Sequence, residues 1–493
     1  MRYFVLLLLA IATCAAAEPA RPNIIFILCD DLGWGDVGAY GQKKIRTPNI
    51  DRLAREGMKF TAHYSGHNVC APSRNVLLSG KHPGHAYIRD NRGGIRTGRE
   101  GQEPVPMGNL ALPITLKRLG YTNGCVGKWG LGPIGSTGEP HQQGFDRFFG
   151  YNCQAVAHNF YPTHMWSDRE RLDLKNPAFA AHQKLPAEAH PKAPESYRPY
   201  VGAEYSADLI AEQGREFVRA NKDRPFFLYF ATTVPHLALQ VPEDSLKEYE
   251  GAFEDEPYVG DKSYLPHRTP RAAYAAMITR LDREVGRLMD LVKDLGLDER
   301  TIFVFTSDNG PLWDRFGGTD SEFFASAGSF RGRKGSYYDG GIRVPCIVRW
   351  PGKIAAGTES DRVTGFEDWL PTLLELLGEK APEGIDGISF APTLRGEKQP
   401  PRPFLYRESP GYTGQQAVRA GDWKLVRRNL NPGPKQKNPP APTTELYNLA
   451  TDPSETTDVA PHHPEIVQNL LAIAKEQHVP SELFPIRALD EAK

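Results

Sequence analysis

Four short apolar runs limit what this chain can become: residues 23–28, 225–231, 301–306 and 344–349 are dense in Ile, Phe and Val and stand between Gly, Pro and Asp. Such runs carry no polar face, so each reads as a strand buried on both sides of a sheet. Helical patterns lie between them. The clearest starts with Thr269 as cap and Pro270 in the first turn, and sets Tyr274, Met277, Ile278, Leu281, Val285, Leu288, Val292 and Leu295 on one stripe. Alternation of this kind predicts an α/β class fold, a large, mixed, mostly parallel sheet sandwiched by helices. Ligands in such sheets gather beyond the carboxyl ends of strands, so polar residues just after these runs are the first candidates for chemistry.

After about residue 396 the texture changes. Residues 417–428 alternate, a Pro/Lys-rich insertion covers 431–442, 445–449 resumes a strand, and Pro464–Gln477 reads as a closing helix. The expectation is a main domain over 18–396 and a smaller C-terminal α+β subdomain over 397–493 with an antiparallel sheet. Residues 1–17 read as a signal peptide: Arg2, an apolar run, then Ala15-Ala16-Ala17. Export to the periplasm or the exterior follows, with a lipid anchor at Cys14 as the lesser reading because Thr13 is a poor residue before such a cysteine. No later stretch is long enough to predict a membrane span. With 60 acidic against 59 basic residues, the chain has no field for nucleic acid.

Asp30-Asp31 follows the first run and Asp308-Asn309 follows the third. Paired carboxylates at a strand end repel unless a cation or donor lies between them, and an all-oxygen set favours a hard divalent ion, Ca²⁺ or else Mg²⁺. Cys29, Cys125 and Cys346 sit in strand-like runs, where a thiol acts as a small buried hydrophobe. Cys70 differs. Pro72 near the first turn and Gly80 after Ser79 predict a short helix with Cys70 at its N-terminal end, a natural anion site that Arg74 reinforces.

The run Cys70-Ala71-Pro72-Ser73-Arg74 resembles the Cys-x-Pro-Ser-Arg signature of the formylglycine-dependent (type I) sulfatase family, within the alkaline-phosphatase-like superfamily. The likeness continues through residues 21–36, 47–53, 120–129, 225–236, 306–310 and 331–345. It implies that Cys70 becomes 3-oxoalanine (Cα-formylglycine), through a formylglycine-generating or anaerobic maturation enzyme as partner. It also implies a Ca²⁺ held by Asp30, Asp31, Asp308, Asn309 and the modified Cys70, with Arg74, Lys128, His236 and Lys334 around the sulfate. A hydrated aldehyde at residue 70 would supply one hydroxyl to attack sulfur and a second to expel sulfate. His236, with help from Lys334, would protonate the leaving oxygen. The substrate implied is a sulfate ester, expected to be a sulfated carbohydrate. A phosphonate or phosphate ester hydrolase and a catalytically impaired glycan-binding homologue are the alternatives.

One position departs from the family pattern. Gly127-Lys128-Trp129-Gly130-Leu131-Gly132 has glycine where the family often has histidine. Either Gly130 opens room for a bulkier substrate or a donor from elsewhere, His158 being the nearest candidate, fills the space and binds substrate.

Overall fold

The computed structural model describes residues 21–93, 100–433 and 438–491. The leader at 1–17, Cys14 included, and residues 434–437 of the Pro/Lys-rich insertion lie outside the described residues.

Sixteen strands are described: β1 (Asn23–Asp30), β2 (Met58–Phe60), β3 (His63–Tyr64), β4 (Thr122–Lys128), β5 (Arg147–Tyr151), β6 (His164–Ser167), β7 (Glu170–Asp173), β8 (Phe226–Pro235), β9 (Thr301–Ser307), β10 (Cys346–Arg349), β11 (Thr358–Ser360), β12 (Thr364–Gly365), β13 (Leu405–Ser409), β14 (Gln415–Ala420), β15 (Trp423–Arg428) and β16 (Thr443–Asn448). The helices of eight residues or more are α1 (Pro48–Arg55), α2 (Cys70–Ser79), α3 (Ala111–Arg118), α4 (Ser206–Ala220), α5 (Pro270–Asp294), α6 (Trp369–Leu376) and α7 (Pro464–Gln477).

Ten strands form one sheet in the order β11-β2-β10-β9-β1-β8-β4-β5-β6-β7, in which only β10 and β6 run against the others. This is the mixed, mostly parallel sheet that the apolar runs predict. Successive β1 side chains point to opposite faces. Ile25, Ile27 and Cys29 pack with α4 and α5 residues such as Ile210, Phe217, Met277 and Leu281. Ile24, Phe26 and Leu28 pack with Val76, Leu77, Leu116 and Leu370 from α2, α3 and α6. Each such fully buried side chain contributes about 1.5–3 kcal/mol. The run at 344–349 enters the ladder only at Cys346, because Pro345 has no N–H to donate.

A second sheet, β13-β14-β15-β16, is antiparallel throughout. The alternation at 417–428 becomes the β14–β15 hairpin. Val418, Leu425 and Leu446 face Leu470 and Ala474 of α7, while Ala417, Val426 and Tyr447 face Tyr64, Tyr337 and Ile342 of the main body. Among the described residues no helix is long and apolar enough to cross a membrane.

Candidate functional site

Strand register assembles the site. Cys29 of β1 pairs with Ser307 of β9, and Asp30 pairs with Pro235 of β8, so Asp31, Asp308 and His236 leave their strands at one level. Lys128 ends β4, the next parallel strand along. Neighbouring residues in a continued strand would point to opposite faces, but Asp31 turns the chain at φ 67°. Its carboxylate thereby joins that of Asp30: ligand atoms of Asp30, Asp31, Cys70 and His236 all lie within 4.8 Å of one another.

Cys70 opens α2 as predicted, with Gly80 capping the helix at φ 72°. The thiol is buried and donates to Asp30 Oδ1 at 3.3 Å, while Lys334 Nζ donates to Cys70 Sγ at 3.1 Å and to Asp31 Oδ1 at 2.6 Å. Lys128 Nζ donates to Asp30 Oδ2 at 2.6 Å. His236 Nδ1 donates to the Leu237 carbonyl at 2.7 Å, which leaves Nε2 facing Asp31 Oδ2 at 3.6 Å. Arg74 lies at the back of the cluster. It has no exposed surface, its Nε and Nη2 donate to Asp308 Oδ2 at 3.0 and 2.8 Å, and its Nη1 donates to the Lys128 carbonyl. In this arrangement its first partner is a carboxylate.

Burial works against every charge here. It lifts the Asp308 carboxyl to about 6, with Asp30 adding to the shift and Arg74 opposing it. It lifts Asp31 as well, against the pull of Lys334. At Asp30 the same burial is outweighed by Lys128, His236, Arg74 and Lys334, which hold the carboxyl well below its usual range. Burial, then the charges of Asp30 and Asp308, push the Cys70 thiol up.

Two buried oxygens in the cluster accept no hydrogen bond from any described residue: Asp31 Oδ2 and Asn309 Oδ1, the Asn309 amide nitrogen having turned to donate to Asp31 Oδ1 at 2.7 Å. Leaving such groups unpaired costs about 1–3 kcal/mol each. A divalent cation among Asp30, Asp31, Asp308 and Asn309 fits this donor set, because it satisfies both oxygens and separates three crowded carboxylates.

His158 lies at the site, its ring stacked on His236 with centroids 5.1 Å apart and planes 16° from parallel. Gly130 opens no room. Its φ is +78°, and a Cβ there would stand 2.7 Å from Gln154 Nε2, so the Gln154 side chain already occupies the space. The donor beside residue 130 is this buried amide, which sequence reasoning missed, as it missed His182 and Tyr264. His182 Nε2 lies 3.0 Å from His158 Nδ1, and the Tyr264 ring touches those of His158, His182 and His236. Neither sits in a pattern that sequence could flag. Gln415 of β14 was also missed: it accepts from Tyr337 N at 3.2 Å and donates to Gly335 O at 2.7 Å, clamping the loop that carries Lys334 from the small sheet.

The family described as "Sulfatase" matches residues 22–379, and the one described as "N-sulphoglucosamine sulphohydrolase, C-terminal" matches 332–478. Human arylsulfatase A is 33% identical, over 94% of this chain and 89% of its own. The N-acetylgalactosamine-6-O-sulfatase of Bacteroides thetaiotaomicron is 31% identical over 91% and 92%. Among solved structures, Ps i-CgsB in complex with k-i-k-neocarrahexaose is 26% identical, covers 92% of both chains and superposes with a TM-score of 0.69.

Proposed function

The chain belongs to the formylglycine-dependent sulfatase family of the alkaline-phosphatase-like superfamily and is a sulfuric ester hydrolase; from that premise we propose that it is exported and acts on sulfated carbohydrates. The observation that carries the site assignment is the buried Cys70 at the start of α2, touched by Lys334 and Asp30 and set beside two unpartnered oxygens. Cys70 is the position converted to formylglycine, which as its hydrate supplies one hydroxyl to attack sulfur and another to release sulfate. Asp30, Asp31, Asp308 and Asn309 would hold Ca²⁺, or Mg²⁺ in its place, which would supply Lewis-acid neutralisation of the ester's negative charge.

The chain's own residues do the rest. Three carboxylates face Arg74, Lys128 and Lys334, so the protein charges cancel and a bound cation leaves the net positive field that a sulfate ester needs. Lys128 and Lys334 present ammonium groups to the anion. Arg74 fixes Asp308 and the end of β4. His236, oriented by its bond to Leu237 O, faces the leaving oxygen with Nε2; burial disfavours its charged form, so Lys334, whose ammonium Asp31 stabilises, shares delivery of the proton to the leaving oxygen. His158 holds the His236 ring and faces the substrate. The division after residue 396 gives catalysis to the larger part and support of the Lys334 loop to the smaller.

The test is free sulfate released by matured protein from defined sulfated mono- and disaccharides, beside aryl sulfate and aryl phosphate. Turnover of a sulfated saccharide supports the reading. Phosphate ester hydrolysis faster than sulfate ester hydrolysis, or tight glycan binding without sulfate release, overturns it.

A further inference from the structure

Ten described residues other than glycine hold positive φ, a state that costs of order 1 kcal/mol or more each. Six of them, Asp31, Ser263, Tyr264, Arg315, Tyr412 and Thr413, lie in loops around Cys70 and Lys334. Apart from the one at Asp31, these strained loops each deliver an aromatic ring to the same place. Trp313, two residues before Arg315, donates its indole N–H to the Lys334 carbonyl at 2.9 Å. Tyr412 lies on Gly335: a Cβ at 335 would stand 2.5 Å from Tyr412 Cε1, so the glycine beside Lys334 is what lets the ring come so close. Phe316 packs edge-on against Tyr264, which in turn reaches His236.

Two of these rings are left open. Trp313 is 51% exposed and Tyr412 is 54% exposed, among the few large apolar side chains that are. The Tyr412 turn is built rather than loose: Gly414 N donates to Gly411 O at 2.9 Å, Asn431 N to Thr413 O at 2.7 Å, and Thr413 Oγ1 to Asn429 Oδ1 at 3.0 Å. Backbone strain, a fixed turn and exposed rings touching Lys334 and Gly335 together mark a surface shaped to be covered.

We propose that Trp313 and Tyr412 form the platform for the sugar ring that bears the sulfate, and so decide which alcohols the enzyme accepts. The proposal rests on the carbohydrate reading given above. A pyranose carries C–H bonds on its faces and hydroxyls on its edge, and the rim offers ring faces next to imidazoles, an ammonium and a phenol. A sterol needs a continuous apolar groove, whereas these rings are separate and set among charged groups.

Binding to Cys70→Ser protein, measured by calorimetry with a sulfated monosaccharide and with inorganic sulfate, reads the platform without turnover. Trp313→Ala and Tyr412→Ala should each weaken saccharide binding about tenfold, equivalent to ~1.4 kcal/mol, and leave inorganic sulfate within twofold. Tyr412→Phe, which keeps the ring, should retain saccharide binding within about threefold of the parent. On active protein the alanine variants should raise KM for the saccharide by a larger factor than KM for methyl sulfate, which has no ring to seat. Saccharide binding within twofold in both alanine variants, or equal loss for saccharide and inorganic sulfate, overturns the platform. So does a steryl sulfate that loses as much affinity as the saccharide. Wild-type protein that releases sulfate from no saccharide would refute the substrate reading, while the binding series still decides whether these rings hold a sugar.

Discussion

Two of the buried charge clusters among the described residues are built to different ends. At the base of α6, Glu367 and Asp368 meet Arg402 and Arg407, the latter on β13 of the small sheet. Arg407 donates to both Glu367 oxygens at 3.0 Å, Arg402 Nη2 adds a bond to Glu367 Oε1 at 2.8 Å, and Arg402 Nη1 holds both oxygens of Asp368. The backbone N–H groups of Gly365 and Ile388 complete Asp368, and no carboxylate oxygen in this cluster is left over. At the strand ends three carboxylates also face three cations, yet Asp31 Oδ2 and Asn309 Oδ1 remain unpartnered. Both clusters cancel in charge, so charge counting does not tell them apart. Satisfaction does: the closed cluster ties the small sheet to the start of α6 with every carboxylate oxygen paired, and the open one leaves two oxygens unpartnered.

The sharpest contrast between the two is chemical. Cys70→Ser should leave the fold and the melting temperature intact and drop sulfate release to background, since a serine cannot regenerate an aldehyde. Mass analysis of the peptide containing residue 70 reports the modification directly, and full activity with unmodified cysteine there would remove the distinction. Next comes the ligand itself. Chelation should abolish turnover, Ca²⁺ or Mg²⁺ should restore it, and stability should fall by about 2.7 kcal/mol for a cation held at a hundred times its Kd. Unchanged melting after verified metal removal would mean the open cluster is as self-sufficient as the closed one.

Arg407→Ala should cost about 3–5 kcal/mol of stability, because it strands a buried carboxylate, and leave activity per folded molecule unchanged. Arg407→Met with Glu367→Leu should recover most of that loss, and a denaturant melt measures both. A smaller effect is expected at the rim of the open cluster. His158→Ala should lower kcat about tenfold, less than the 10²–10⁴-fold typical of a direct acid or base, because His158 acts on the orientation of His236. Gly130→His should destabilise by about 1–3 kcal/mol, because a side chain at φ +78° is strained and Gln154 must also move aside, without widening the substrate range.

The mildest test is acid. At Glu367 burial favours the neutral acid, but Arg407 and Arg402 outweigh it and bring the carboxyl down to about 2. Its unfolded value is about 4.3. This group's share of stability is therefore complete above about pH 4.3 and is lost as pH falls toward 2. The slope of stability with pH in that window should flatten in the Arg407→Met, Glu367→Leu protein, and an unchanged slope would take the effect away from this pair.

Much of the open cluster was legible from residue order alone. Asp30, Asp31, Asp308 and Asn309 follow apolar runs and Cys70 follows the rules for a helix start, which made them candidates; the family resemblance assigned their roles and brought in Arg74, Lys128, His236 and Lys334 as sulfate contacts. Lys128 and His236 also end or follow strands, at β4 and β8. Arg74 was found but its burial behind Asp308 was not, since a helix position specifies a direction and not what stands in front of it. Gln154, His182, Tyr264 and Gln415 reach the site from loops and a distant strand. No periodicity marks such residues, and Tyr264 and Tyr412 themselves take positive φ values that sequence does not announce.

By itself, then, the order of residues determined the layers and the reacting ends. Continuous apolar runs have nowhere to go but between two helix layers, and adjacent carboxylates and a cysteine at a helix start carry their chemistry with them. Tertiary structure alone decided that Gln154 takes the space at Gly130, that two oxygens stay open while the cluster of Glu367 and Asp368 closes, and that rings from three separate loops surround Lys334. The reason is one of range: burial and periodicity are properties of neighbouring residues, whereas a hydrogen-bond vacancy exists only once distant segments have met and their donors have been counted.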